Sequence, residues 1–139
     1  SFKKDKINKK VFVVISEGEL YEGSTWEALL IASHYKLNNL VIIVDVNSLI
    51  ILGKTKDCLS LDPIDKKFKS FGYKTLKCDG HDFKSIIRSL NVPSKNLPKC
   101  ILARTTKGKG FSIMENKAHW HYWNKISSDQ TKALLEEGK

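Results

Sequence analysis

Few of the residues that mark a specialised chain are present. The three cysteines, Cys58, Cys78 and Cys100, are odd in number and widely spaced. That excludes a disulfide framework and a paired-cysteine zinc site, and it suits a reducing compartment, the cytoplasm. Arginine is almost missing: the net charge of +9 rests on 22 lysines and two arginines, Arg88 and Arg104. Nucleic-acid readers lean on arginine forks, and the lysines are scattered beyond residues 3–10, so no nucleic-acid partner is expected. No apolar run approaches the roughly 20 residues of a membrane helix, so no membrane is expected either. Residues 1–10 are basic but carry neither an apolar stretch nor a cleavage site, so they are not expected to be a secretory signal. They read as a flexible leader, with contact to an acidic partner as the alternative. Internal repeats and low-complexity segments are absent.

What is present builds an α/β domain. Hydrophobic residues make up 41% of 139, enough for one core, and the domain is expected over residues 11–139. Continuous apolar runs at residues 11–15 and 40–44 read as buried parallel strands, and further strands are expected at 73–78 and 99–105. A helix is expected over residues 24–37, with Ser24 and Glu27 at capping-box spacing and Trp26, Leu29, Leu30, Ser33 and Leu37 facing the sheet. Asp62 before Pro63 reads as the cap of a second helix, which Gly72 stops. Asp82 caps a third over residues 83–90, and a fourth covers 128–137. Residues 47–61 read as irregular. Strands alternating with helices predict a four-stranded parallel sheet with helices on both faces.

The stretch from Val11 to Asn47 organises the chain. Its first strand leads into Ser16-Glu17-Gly18-Glu19, and its second closes on Asp45-Val46-Asn47. In a parallel unit both loops open on the carboxyl edge of the sheet, where ligands bind. A carboxylate after one strand and a carboxamide after the next can meet there on one hard cation. Oxygen ligands suit magnesium or calcium, and magnesium commonly brings a phosphate. An acidic surface turn and a strand-capping asparagine are the alternative.

This arrangement resembles the thiamine diphosphate-binding motif of the transketolase family, a Gly-Asp-Gly triplet followed, one helix and one strand later, by Asn. Here the triplet is Ser16-Glu17-Gly18, and 28 residues separate Gly18 from Asn47. Residues 19–28, residues 32–37, Asp79-Gly80-His81-Asp82, residues 107–110 and Met114-Glu115-Asn116 also resemble transketolase segments, in the family's order. The resemblance implies a thiamine diphosphate-binding fold, N-terminally incomplete, because the family's upstream segments and its pyrimidine-binding domain have no counterpart in this sequence.

Residue by residue, the resemblance implies that Glu17, Asn47 and the backbone carbonyl of Leu49 hold Mg2+, or Ca2+. Gly18 would offer its N–H to the diphosphate at a helix mouth. Glu19, Asn47, Leu49 and Lys107 are further expected cofactor contacts, with a solvated basic turn as the alternative for Lys107 and Lys109. His121 matches the family histidine that reaches the diphosphate or the sugar, with His119 as rival. Glu22 matches a glutamate at the family's subunit interface, and it is grouped with His121 as catalytic. His81 and His34 read as structural. Two departures stand out: Glu17 is one methylene longer than the family's aspartate, and Ser16 puts a side chain where glycine lets the backbone approach a phosphate.

The implied activity is two-carbon ketol transfer between sugar phosphates by a transketolase-type transferase. It needs an assembly, a homo- or hetero-oligomer with a pyrimidine-binding partner domain or subunit, and this chain alone is not expected to be active. The alternative is a non-catalytic interaction protein whose Ser16-Glu17-Gly18 metal site has degraded. Metal-dependent binding of thiamine diphosphate separates the two.

Overall fold

A computed structural model of the chain describes residues 9–122 and 125–138. Most of the basic leader and Trp123 of the aromatic block lie outside the described residues. Four strands, β1 (Val11–Ser16), β2 (Leu40–Val46), β5 (Lys74–Asp79) and β6 (Lys99–Arg104), form one parallel sheet in the order β1-β2-β6-β5. The helices are α1 (Gly23–His34), α2 (Thr55–Cys58), α3 (Ile64–Ser70), α4 (Phe83–Asn91) and α5 (Ser128–Glu137). One sheet face packs Ile42, Val44, Cys100 and Leu102 against Leu29 of α1 and Phe68 of α3. The other packs Val41, Cys78, Ile101 and Ala103 against Ile86 and Leu90 of α4. Helices on both faces of a parallel sheet are the expected architecture.

Local chemistry sets several boundaries. Asp82 caps α4 by accepting from the N–H groups of Lys84 and Ser85, satisfying donors the helix cannot. Gly72 takes φ +84° after α3, and a Cβ there would lie 2.4 Å from Ser33 Oγ. It is required both by its backbone and by its closeness to α1.

Five expectations need correction. The run at residues 11–15 is not buried, because β1 is an edge strand: Phe12 is 55% and Val14 69% exposed on the face that α4 leaves uncovered. The Ser24 capping box does not form; α1 begins one residue earlier with Glu22 as N-cap and no side-chain cap bond. Tertiary bonds fix that start instead, from Thr25 Oγ1 to the Glu19 carbonyl and from Trp26 Nε1 to the Leu20 carbonyl, each 2.8 Å. On α1, Leu29 and Ala32 are buried while Leu30 points outward, 56% exposed. Pro63, after a cis bond from Asp62, is itself the N-cap of α3. Residues 47–61 are also more regular than expected, holding the antiparallel hairpin of β3 (Leu49–Ile50) and β4 (Gly53–Lys54) and the short α2.

Candidate functional site

The registers bring the functional loops to one level. Ser16 pairs with Asp45, and Asp45 with Ala103, so β1, β2 and β6 end together on the carboxyl edge. The 3-10 turn Gly18–Tyr21, the β3–β4 hairpin and the loop after β6 converge there. Between them lies a cleft of about 650 Å3 that takes in Gly18, Glu22, Asn47, Leu49, Lys107 and His121. Residues about a hundred positions apart in sequence thus share one concavity at the edge where α/β sheets bind ligands. A Cβ at Gly18 would make only an ordinary contact, 3.5 Å from Ser16 Oγ. Partial desolvation and the Lys107 ammonium hold His121 below the usual imidazole range; the sign favours a neutral ring at pH 7. Ile51 and Leu52, at 60% and 80% exposure, give the same cleft an apolar wall.

Glu17 lies just outside this cleft and lines an adjoining cavity whose wall also includes Asn47 and Leu49. It is 4% exposed. Its carboxylate accepts from the Ser48 N–H at 2.5 Å and the Thr55 hydroxyl at 3.4 Å, and among the described residues no ion pair reaches it. Burial pushes its carboxyl up, against those hydrogen bonds. Buried charges are normally paired or bound to metal. A sheltered carboxylate lacking a counter-charge, beside a carboxamide and a backbone turn, is an all-oxygen donor set that fits a hard divalent cation.

Sequence reasoning missed Asp45, Thr55 and Thr105. The Asp45 carboxylate accepts from the Thr105 hydroxyl, and at 3.2 Å from Asn47 Nδ2. Asn47 Oδ1 in turn accepts from the Leu49 N–H at 3.0 Å. Only the Asp-x-Asn spacing at the end of β2 pointed to such a pair; Thr105 comes from a strand that only the fold brings alongside.

Other expected residues sit elsewhere. The Glu19 carboxylate folds back onto the Ser16 N–H at 2.7 Å and the Ser16 hydroxyl at 3.1 Å, which keeps it out of the cleft. His81 Nε2 accepts from the Thr106 N–H at 2.7 Å, tying the α4 turn to the loop after β6. Lys109 lies 3.8 Å from Glu115 and lines a separate open hollow with His81 and Arg104.

The chain matches the family model of the transketolase thiamine diphosphate-binding domain over residues 2–136. It belongs to the transketolase family. This transketolase-family chain is 42% identical to an apulose-4-phosphate transketolase subunit from Actinobacillus succinogenes, over 99% of the chain and 50% of the relative. The subunit of the same name from Phocaeicola vulgatus is 37% identical, over 96% of the chain and 48% of the relative. The chain therefore spans about half the length of these relatives. Transketolase from Campylobacter jejuni superposes with a TM-score of 0.83 at 28% identity, over 96% of the chain and 21% of that structure. Parallel sheet, flanking helices and loop order are those of the transketolase fold. Among the described residues no helix of this family member is long and apolar enough to cross a membrane.

Proposed function

We propose that the chain anchors thiamine diphosphate through Mg2+, or Ca2+, as one part of a transketolase-type transferase of the reducing cytoplasm. The supporting observation is the convergence of Gly18, Asn47, Leu49, Lys107 and His121 from separate loops on one cleft, with the unpaired carboxylate of Glu17 next to it. Glu17, Asn47 and the Leu49 carbonyl would hold the cation. The Gly18 N–H, at the start of the 3-10 turn, the Lys107 ammonium and the His121 ring would take the diphosphate, because backbone donors in a turn and a nearby cation both favour anions. The exposed side chains of Ile51 and Leu52 would pack against the flat ring of the cofactor and shield it from water once it is bound. Bound there, thiamine diphosphate supplies the carbon nucleophile for two-carbon ketol transfer between sugar phosphates. The likeness to the two apulose-4-phosphate transketolase subunits supports a sugar phosphate of the apulose 4-phosphate type as substrate and a second subunit, with a pyrimidine-binding domain, as partner. Glu22, at the cleft and exposed, is the residue to face that subunit.

One observation favours a second reading, a non-catalytic interaction protein: the Glu17 carboxylate is already engaged by Ser48 and Thr55. Calorimetric titration with thiamine diphosphate, with Mg2+, with Ca2+ and with chelator, decides between them. Metal-dependent binding that disappears in Glu17→Ala and Asn47→Ala supports the cofactor role. Absence of binding at millimolar cofactor, also with a transketolase C-terminal half present, leaves the interaction protein.

A further inference from the structure

We propose that Thr105 and Asp45 are positioning residues that clamp the Asn47 carboxamide with its oxygen available to the cation, an inference that rests on the metal-dependent cofactor reading above. Asp45 stands half-buried at the end of β2 between two donors, the Thr105 hydroxyl on Oδ1 and the Asn47 Nδ2 group on Oδ2. The Asn47 amide group donates to Asp45 Oδ2 at 3.2 Å, so the NH2 end of Asn47 is the end that faces it. On its far side Asn47 meets the Leu49 N–H, a donor, at 3.0 Å, and an amide nitrogen cannot accept there. The two constraints admit one orientation of the carboxamide. Its oxygen keeps a second lone pair in the wall of the cleft, next to Leu49. The sheet supplies the hydroxyl: the Thr105 N–H donates to the Val46 carbonyl at 3.1 Å, which aligns the exit of β6 with that of β2. Partners behind a metal ligand commonly change metal affinity by roughly 10–100-fold when removed.

Asp45 also lines the cleft, so the test must separate positioning from direct ligation. Two readouts serve: Mg2+-dependent binding of thiamine diphosphate to the full chain, and hydrogen exchange of the Asn47 side-chain amide by NMR on the metal-free protein. Thr105→Val is expected to weaken binding by roughly 10–100-fold and to speed the amide exchange, while thermal melting checks that the fold survives. Thr105→Ser returns the hydroxyl and is expected to restore both. Asp45→Asn keeps both bonds, because the new carbonyl accepts from Asn47 and the Thr105 hydroxyl turns to accept from the new amide. It is expected to bind within a few-fold of the parent, whereas loss of a charged ligand would abolish binding. Unchanged affinity in Thr105→Val, or lost binding in Asp45→Asn, overturns the proposal. If the parent itself shows no metal-dependent binding, the cofactor reading fails and this role toward the cation fails with it; the amide exchange then still reports whether Asn47 is clamped.

Discussion

Glu17 shows how a residue can be poor for stability and right for a ligand. Its carboxylate is buried, and among the described residues its hydrogen-bond partners are neutral, the Ser48 N–H and the Thr55 hydroxyl among them. Desolvating a charge without a counter-charge costs stability, so the metal-free chain carries a local penalty that a bound cation would remove. Glu17→Gln keeps the length and removes the charge. It is expected to leave the metal-free chain as stable as the parent, or more stable by up to about 1 kcal/mol, since stabilising changes at functional sites are common. The same substitution is expected to weaken Mg2+-dependent cofactor binding. Urea melts in chelator beside calorimetry in Mg2+ read the two effects, and a marked loss of metal-free stability would count against this view. The sequence made Glu17 conspicuous through its loop. It could not show where the carboxylate points, because Ser48 and Thr55 are brought to it by a hairpin that short-range pattern does not reveal.

At the scale of elements, what was legible followed from local bonding and what was not followed from tertiary bonding. Asp82 caps α4 with its own neighbours' N–H groups, and that cap could be read from sequence. The start of α1 is set by Thr25 and Trp26 reaching back to the Glu19 and Leu20 carbonyls, and a capping-box spacing at Ser24 gave no hint of it. The apolar run of β1 correctly announced a strand, but apolarity does not distinguish an edge from a centre. The end of α4 shows the same limit. Lys99, at the start of β6, is 4% exposed and donates to the Leu90 carbonyl at 2.7 Å and the Ser89 carbonyl at 3.5 Å. It puts a cation on orphan carbonyls at the negative end of the helix dipole, although burial lowers its amine from the usual lysine range. Lys99→Met keeps most of the stem and strips the donors. It is expected to cost about 1–3 kcal/mol, the range for leaving buried acceptors unsatisfied, and to quicken hydrogen exchange in the last turn of α4 before the rest of the chain. Gly72→Ala is expected to cost about 1 kcal/mol or more for its left-handed backbone. Ser33→Ala should relieve the contact with Ser33 but not the backbone strain, so the double variant is expected to recover only part of the loss in a denaturant series.

Over the whole molecule, the buried acids make one contribution to how stability responds to alkali. Cys100 is fully enclosed, and burial pushes its thiol well above the ordinary value of 9.0. Burial raises the Cys78 thiol as well, and the Tyr73 phenol, which donates to the Leu29 carbonyl at 3.2 Å. Each group keeps its proton in the folded chain at a pH where the unfolded chain has released it. The folded state then binds more protons, so unfolding becomes easier as pH rises. The stabilisation is complete below the unfolded values and erodes above about 9 for the two thiols and above about 10 for Tyr73. Lys99 has the opposite sign: its lowered amine means the unfolded chain holds the extra proton, which raises stability as pH climbs toward the ordinary lysine value near 10.5. Relief of repulsion within a chain of net charge +9 acts in that direction too. The absolute slope is therefore a sum of opposing contributions, and the informative quantity is a difference. Denaturant melts at half-unit steps from pH 7 to 10 on the parent and on Cys100→Ala measure it. Below pH 8 the two curves should run parallel, offset by the small cavity cost of the lost sulfur. Between pH 9 and 10 the parent should lose stability faster, by up to about 1.4 kcal/mol per pH unit, the worth of one proton. Parallel curves across the whole range would mean that the Cys100 thiol ionises as readily folded as unfolded. That would be incompatible with its place in the packed interior between β2 and β5.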